Sequence, residues 1–200
     1  MGLFEKNLEV QAVNAHGKVK LPPGQSSTRK FPVLTYGPEQ DISKEEWQLH
    51  IWGLAKTCTL SWSNLMALPQ TTLRADFHCV THWSRFDDDW EGVLFKHLFA
   101  TLDVKPEAKH VMQHAYGDYT TNLPLKWMLE EDVMLAHTLN GNPLPKEHGG
   151  PVRVFTPRRY AWKGAKWIHG LEFIAEDKPG FWEQNGYSNT ADPWKEERFL

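Results

Sequence analysis

The sequence predicts an α+β fold with a core formed mainly by β-strands. Most periodic segments are short and alternate apolar with polar residues, which is the pattern of half-buried strands. Helical spacing of apolar residues occurs in only a few short stretches, and these are mixed irregularly with the strands. No repeat is present, and 200 residues with 40% hydrophobic and 24% charged composition are ordinary for one globular domain.

The N-terminal part of the chain differs in composition from the rest. Residues 1–30 are polar, rich in Gly, Pro and Ser, and end in LPPGQSSTRK. Such composition does not form its own core, so we predict an extended tail over 1–30. Residues 31–200 are predicted to form one mixed, mostly β domain.

The strand predictions depend on alternation and on turn residues. Residues 47–54, WQLHIWGL, alternate and close on Gly53, and residues 71–81, TTLRADFHCVT, alternate and carry Cys79 near their end. The other segments predicted to form strands are 109–124, which runs into a Gly-Asp turn, 133–145, which runs into an Asn-Gly turn, and 151–176, which is broken by Pro157 and Gly164.

The helix predictions depend on caps and on apolar spacing. Residues 61–70 begin with serine caps and end at Pro69. Residues 90–104 have apolar residues at 94, 95, 98, 99 and 102, and a third helix is expected over 123–132. Three consecutive Asp residues in RFDDDW are expected to cap the start of the second helix, with a metal site as the alternative. The chain then closes with an aromatic, turn-rich segment.

Charge and cysteine content exclude several classes of protein. A formal net charge of −3 gives no reason to expect nucleic acid or a membrane surface as partner. No segment reaches the length of a signal peptide core or a membrane span. Cys58 and Cys79, the two cysteines, make no disulfide framework, so a reducing cytoplasm is the expected compartment.

A basic cluster lies late in the chain. Between Glu147 and Glu172 there is no acidic residue. Five basic residues fall there: Arg153, Arg158, Arg159, Lys163 and Lys166. With glycines nearby, such a cluster suits a phosphate group, because backbone N–H groups can approach it and Arg and Lys supply charge-assisted hydrogen bonds. The alternative is a solvated basic face.

Cys79 lies between His78 and His82 and allows three interpretations. It can be a small core residue, a nucleophile activated by a histidine, or a metal ligand. Zinc is poorly supported because Cys58 and Cys79 lack CxxC spacing and no HExxH motif occurs. One thiolate on a metal carried by an organic cofactor fits better, since the chain then supplies one ligand. Cys58 itself is expected to be a core residue.

A turn following residue 116 contains Asp118 and Tyr119. The tyrosine hydroxyl can donate a hydrogen bond to a bound oxyanion. The alternative is an Asx-type turn with a packed tyrosine.

These segments together resemble the molybdenum-cofactor domain of the sulfite oxidase family, and most closely its compact free-standing bacterial members. The resemblance covers about residues 31–185 in collinear order. It rests on the segments FPVLTYGP, WQLHIWGL, LSWSNLMALPQ, DFHCVTHWS with WEGV, GDYTTNLPL, NGNPLPKEHGGPVRVFTPRRYAWKGAKWI and GFWEQNGY.

The resemblance implies a mixed, mostly β domain that binds molybdopterin in its mononucleotide-free form. It implies that Cys79 ligates molybdenum and that Tyr119 faces the metal and donates a hydrogen bond to substrate or to a metal-bound oxo group. The residues implied to contact the cofactor are Tyr36, His78, His148, Arg153, Lys163, Gly164, Ala165 and Lys166.

The expected function is therefore a molybdopterin-dependent oxidoreductase that transfers an oxygen atom to or from a small substrate. The sequence has no electron-transfer domain, which implies an external redox partner. His78 stands where several relatives carry Arg or Gln, so an arginine-lined sulfite pocket is not evident, and Arg85 is the nearest substitute. The alternatives are a non-catalytic module that binds a pterin or nucleotide phosphate and, more distantly, a cysteine hydrolase.

Overall fold

The structure is a computed structural model that describes residues 21–200. This part of the chain contains eleven strands and four short α-helices. The strands are β1 (Ser26–Ser27), β2 (Gln48–Gly53), β3 (Cys58–Ser61), β4 (Gln70–Cys79), β5 (Trp83–Leu94), β6 (His110–Ala115), β7 (Thr120–Pro124), β8 (Met134–Leu139), β9 (Asn142–Pro143), β10 (Arg153–Phe155) and β11 (Ile168–Ile174). The helices are α1 (Trp62–Met66), α2 (Phe95–Phe99), α3 (Leu125–Met128) and α4 (Phe181–Gln184). The predicted α+β class with a β-dominated core is confirmed.

The strands form two sheets. In the six-stranded sheet, β4 pairs antiparallel with nearly the whole of one edge of β5. On the other edge of β5, β1 pairs with its first residues and β8 with its last five. Strands β9 and β10 then pair with β8. The five-stranded sheet has the order β3-β2-β11-β6-β7, in which only the β2–β11 pair is parallel. The late strands β10 and β11 therefore join different sheets, and the chain between them crosses from one sheet to the other.

The hydrophobic core has one large and two smaller parts. The large part buries residues of the five-stranded sheet, such as Leu49, Val111 and Leu171, together with Val154 and Leu135 from the other sheet. A second cluster lies on the six-stranded sheet and contains Cys79 among its buried members. The core thus holds the two sheets together and fixes the end of β4, where Cys79 lies.

The helix predicted over 90–104 is wrong for its first five residues. These residues complete β5 and pair with β8, and only Phe95–Phe99 is helical. Gly92 shows why, because a Cβ placed there would lie 2.0 Å from the carbonyl oxygen of Leu135. The backbones of β5 and β8 approach closely at this point, so the sheet takes residues whose spacing suggested a helix.

The three consecutive aspartates do not cap a helix as predicted, because they lie inside β5. Asp88 is buried and accepts two hydrogen bonds from Arg85, at 2.7 and 2.5 Å. Asp89 accepts two from Arg74 on the neighbouring strand. Within residues 21–200 no group of three or more His, Cys, Asp or Glu side chains is arranged to hold a metal ion. Asp88 and Asp89 therefore form ion pairs within the sheet.

The remaining elements lie close to their predicted positions. Helix α1 starts at the predicted serine cap, where Ser61 and Asn64 form a capping box. The β6–β7 hairpin turns at Gly117 and Asp118, and the β8–β9 hairpin turns at Asn140 and Gly141, all four with positive φ. Alternation and turn chemistry thus locate most of the hairpins.

The predicted tail falls partly outside the described residues, which begin at 21. In the described part, Ser26–Ser27 pairs parallel with the start of β5, and Gln25 donates a hydrogen bond of 2.9 Å to the carbonyl oxygen of Cys79. The α-helices of residues 21–200 have five residues at most, and none has the length and apolar character of a membrane-spanning helix.

Candidate active site

A cleft of about 340 Å³ lies at the end of β4. Its walls come from the extended segment after β1, from β4 and the β6–β7 hairpin, and from the loops on both sides of β10. Seven of the predicted site residues line it: Tyr36, Cys79, Tyr119, His148, Arg153, Gly164 and Lys166. A volume of this size suits one small organic molecule. The fold therefore collects into one space residues that are up to 130 positions apart in sequence.

Cys79 is the last residue of β4 and contributes the thiol of the cleft. Its Sγ atom lies 3.1 Å from the hydroxyl of Thr81, and the residue is 7% exposed. His78 points to the opposite face of the strand, because successive side chains alternate. There its Nδ1 atom lies 2.8 Å from Ser84 Oγ, and burial lowers its pKa to about 4. The structure therefore does not bring His78 into the cleft.

The histidines beside Cys79 in sequence do not form a catalytic dyad with it. His82 Nδ1 lies 2.8 Å from the carbonyl oxygen of Gly24, and His78 contacts Ser84. In residues 21–200 the hydrogen bond shown for the Cys79 thiol joins it to the Thr81 hydroxyl, not to a histidine. A histidine-activated nucleophile thus has no geometric support here.

Arg153 presents a buried positive charge at the base of the cleft. It is 2% exposed, and its guanidinium donates to three carbonyl oxygens, those of His148 at 3.0 Å, Gly164 at 3.2 Å and Val154 at 3.3 Å. No Asp or Glu of residues 21–200 forms an ion pair with it, and burial lowers its pKa to about 10. A buried cation without a counterion favours an anionic ligand.

His148 and Lys166 flank this charge. The His148 ring stacks on Phe31 with centroids 3.7 Å apart, and burial together with Lys166 and Arg153 lowers its pKa to about 4. The imidazole is therefore neutral at pH 7. Lys166 Nζ donates to the carbonyl oxygens of Leu34 and Glu147, and burial followed by the charge of Arg153 lowers its pKa to about 7. Burial is thus the main cause of the lowered pKa of both groups, and the charge of Arg153 adds to it.

The rest of the basic cluster does not face the cleft. Lys163 is fully buried and donates to Glu183 Oε1 at 2.7 Å and to Asn122 Oδ1 at 3.0 Å. Arg158 lies on the surface and pairs with Asp132 at 2.8 Å. The single basic cluster seen in the sequence therefore divides into cleft cations, a buried ion pair and surface ion pairs.

The loop between β10 and β11 is held from behind by a residue that the sequence analysis missed. Gln113, buried in β6, donates to the carbonyl oxygen of Lys163 and accepts from the N–H of Ala165, both at 2.9 Å. The N–H of Ala165 is thus already bonded within the protein. Gly164 is required because a Cβ there would lie 2.4 Å from the Val154 carbonyl oxygen. The sequence offers no signal for this backbone-holding role, because an uncharged Gln within a strand belongs to no motif.

Both tyrosines predicted from the sequence, Tyr36 and Tyr119, line the cleft. Tyr119 donates its hydroxyl hydrogen to the carbonyl oxygen of Trp162 at 2.5 Å, and burial followed by the charge of Glu183 raises its pKa well above the usual value. Tyr36 is 45% exposed at the mouth and packs against Phe181 with ring centroids 4.0 Å apart. Tyr119 therefore reaches the cleft as a neutral phenol that already has an acceptor.

Arg85 lies outside the cleft, in β5. Its two hydrogen bonds to Asp88 neutralise its charge, and a third goes to the carbonyl oxygen of Arg29 at 2.8 Å. Arg153 and Lys166 are therefore the basic side chains that line the described cleft.

Comparison with known proteins identifies the group of enzymes that share this arrangement. Residues 36–182 match the family described as the oxidoreductase molybdopterin-binding domain. The chain belongs to this family. It is therefore a molybdenum-cofactor-dependent oxidoreductase that binds molybdopterin, and this membership favours an enzyme over a non-catalytic binding module.

Relatives of this molybdopterin oxidoreductase range from compact to long proteins. The uncharacterized oxidoreductase YuiH of Bacillus subtilis strain 168 is 44% identical over 90% of this chain and 92% of its own length. The mitochondrial sulfite oxidase of Drosophila melanogaster is 27% identical over 80% of this chain but only 33% of its own length. The sulfane dehydrogenase SoxCD of Paracoccus pantotrophus aligns with a TM-score of 0.65 at 24% identity, covering 74% of this chain and 42% of that one, which shows a shared fold.

The cleft of this family member fits the cofactor chemically. Molybdopterin brings a phosphate and two sulfur ligands for the metal, and the cleft offers a buried guanidinium without an acidic partner and one thiol. Its other walls are mainly apolar and aromatic, which suits a flat pterin ring.

The lowered pKa of Lys166 predicts a pH-dependent affinity for anions. The cofactor-free protein should bind sulfate about tenfold more weakly at pH 8 than at pH 6, since each unit above the pKa removes about nine tenths of the charged form. Sulfate keeps its charge over this range, and the pKa values near 4 for His148 and near 10 for Arg153 lie outside it. Calorimetric titration measures the effect. Lys166→Met should remove it, and equal sulfate affinity of the unmodified protein at both pH values would contradict the assignment.

Proposed function

We propose that the enzyme transfers an oxygen atom to or from a small substrate, with Cys79 as the ligand that the protein gives to molybdenum. The observation that carries the proposal is the position of the Cys79 thiol in the same cleft as the buried Arg153 charge. A soft thiolate suits a metal that already has sulfur ligands. Cys58, the other cysteine, packs half-buried against the large core cluster.

The side chains of the cleft supply binding and orientation. Arg153 and Lys166 would hold the phosphate, and His148 would contact the cofactor as a neutral imidazole. Gly164 lets its loop pack closely against the Val154 carbonyl oxygen. The cleft volume of about 340 Å³ supports the smaller, mononucleotide-free cofactor. When bound, molybdenum supplies two-electron oxygen-atom chemistry, which no side chain of the protein can provide.

We propose a more indirect part for Lys163, Ala165 and His78. Their polar groups are already bonded to Glu183, Gln113 and Ser84 respectively. Lys163 and Ala165 would shape the loop that contacts the cofactor, and His78 would fix the end of β4. A role for Tyr119 as donor to substrate requires its hydroxyl to rotate away from the Trp162 carbonyl.

The charges of the cleft favour a neutral organic substrate over a small anion. Arg153 and Lys166 are needed for the cofactor, and Arg85 is neutralised by Asp88 outside the cleft. The remaining walls are largely aromatic, and they include Trp162, Trp182 and Tyr187. An anion such as sulfite would lose its hydration here without gaining a free cation. We therefore propose a sulfoxide or an N-oxide as the oxygen donor.

The electrons would come from an external redox partner. In residues 21–200 a second pocket, lined by residues such as His78 and Phe155, has a volume of about 10 Å³, which is too small for another cofactor. The two free thiols support a reducing, cytoplasmic compartment.

Metal and pterin analysis combined with a substrate panel tests the function. Protein purified from molybdenum-replete cells should contain one molybdenum per chain and release a pterin that becomes fluorescent on oxidation. With a reduced viologen as electron donor, sulfoxides and N-oxides should be reduced. Sulfite with ferricyanide as acceptor should give much lower turnover. Molybdenum-containing protein that turns over sulfite faster than every neutral oxide would contradict the proposed substrate class.

A further inference from the structure

A buried carboxylate behind the cleft joins three of its walls. Glu183 lies in α4, and its side chain is 2% exposed. Its Oε1 atom accepts from Lys163 Nζ at 2.7 Å, from Thr121 Oγ1 at 3.0 Å and from Trp162 Nε1 at 3.2 Å. The donors come from strand β7 and from the turn at 161–163. One oxygen atom therefore connects α4, β7 and this turn.

Each connected element contains, or directly follows, an aromatic residue that lines the cleft. Trp162 is itself a donor to Glu183, Trp182 is its neighbour in α4, and Tyr119 lies two residues before Thr121. Tyr119 is also tied to the same turn through its hydrogen bond to the Trp162 carbonyl oxygen. The relative positions of these three rings thus depend on the bonds that converge on Glu183.

The close approach of α4 to β7 is built into the sequence at Gly180. A Cβ at this position would lie 2.5 Å from Thr121 Cα and 2.8 Å from Glu183 Oε2. Glu183 Oε2 is buried and has no hydrogen-bond partner among the described residues. The chain therefore accepts an unsatisfied carboxylate oxygen at this point in order to keep Oε1 at the junction of the three elements.

A buried ion pair is weak evidence for a role in stability, because desolvation of the two charges offsets their attraction. Lys163 shows this cost, since burial lowers its pKa even though Glu183 acts to raise it. The Lys163–Glu183 pair is better explained by the relative positions of α4, β7 and the turn at 161–163, which it helps to fix.

We propose that Glu183 is a positioning residue that sets the aromatic walls of the cleft, formed by Tyr119, Trp162 and Trp182, for a substrate that approaches the cofactor. It does not line the cleft, and it acts through the Trp162 indole, Lys163 and Thr121. The kinetic part of this inference rests on the proposed function.

Glu183→Gln in the molybdenum-loaded protein tests the proposal, because glutamine keeps an acceptor oxygen but loses the charge. We expect wild-type molybdenum and pterin content, together with a shift of the Trp162 indole N–H resonance in the ¹H–¹⁵N spectrum. Trp162→Phe assigns that resonance. We also expect kcat/KM for the best neutral oxide to fall about tenfold or more, because a misplacement of about 1 Å costs up to about 100-fold.

Glu172→Gln is the matched control. Glu172 is a partly buried carboxylate of β11 that accepts a hydrogen bond from His114 at 3.1 Å and does not line the cleft. This variant should keep the Trp162 resonance and kcat/KM of the wild type.

Three results would overturn the positioning role. They are an unchanged Trp162 resonance in Glu183→Gln, a wild-type kcat/KM in that variant, and a loss of activity that only follows a loss of molybdenum. If the variant does not fold, Thr121→Val removes one hydrogen bond and leaves the ion pair, and an unchanged resonance there overturns the proposal equally. The resonance decides the positioning role even if none of the tested oxides is a substrate, so the two proposals fail separately.

Discussion

Replacing Cys79 by serine should lower oxygen-transfer turnover by more than about 100-fold. Loss of a residue that only hydrogen-bonds to a metal ligand already costs about 10- to 100-fold, so loss of the ligand itself should cost more. The change exchanges a soft sulfur for a hard oxygen at the end of β4 and leaves the fold intact, since the side chains are nearly isosteric. The pterin should remain bound through Arg153 and Lys166. Turnover normalised to pterin content, with molybdenum measured by elemental analysis, gives the result.

Cys58→Ser is the matched control for this experiment. Cys58 is half-buried against the large core cluster and does not line the cleft. The same atom exchange there should leave turnover and molybdenum content unchanged. A Cys79→Ser protein that retains molybdenum and turns over at the wild-type rate would refute the assignment of Cys79 as the metal ligand.

Replacing Arg153 by methionine should weaken cofactor affinity about 10- to 150-fold, which corresponds to the 1.5–3 kcal/mol of a hydrogen bond to a charged group. The effect on the stability of the cofactor-free protein should be much smaller, because two contributions oppose each other. The variant removes a buried, unpaired charge, but it leaves the carbonyl oxygens of His148 and Gly164 without their donor. Pterin release and thermal unfolding of the cofactor-free protein measure the two quantities separately.

Arg158→Met serves as the control for the loss of a basic residue from the same sequence cluster. Arg158 is half-exposed and pairs with Asp132 on the surface. Its removal should leave cofactor content unchanged. Equal cofactor content in Arg153→Met and Arg158→Met would show that the buried guanidinium does not hold the phosphate.

The comparison of these two arginines shows how far sequence reasoning reaches. A run of basic residues without acids predicts a place where an anion can bind, and Arg153 and Lys166 do line the cleft. The sequence pattern does not distinguish Arg153 and Lys166 from Lys163 and Arg158. The acidic partners of the latter two, Glu183 and Asp132, are 20 and 26 positions away from them in sequence. Which cation lacks a counterion depends on contacts between distant segments.

The strands show the same division. Alternation placed β4 and Cys79, and turn residues placed the β6–β7 and β8–β9 hairpins, because both signals are local. The residues at 90–94 were misassigned to a helix, since their apolar spacing fits either structure. These residues form a strand because they pair with β8, which lies 40 to 49 positions later in the sequence.

The sequence by itself determined the fold class, most hairpins and the thiol and cations from which an active site could be made, since these depend on residue type and short-range order. Only the tertiary structure decided that His78 points away from the cleft, that Lys163 pairs with Glu183, and that Arg153 has no acidic partner among residues 21–200. The physical reason is that burial and pairing, which set the charge and availability of a side chain, arise where distant segments meet.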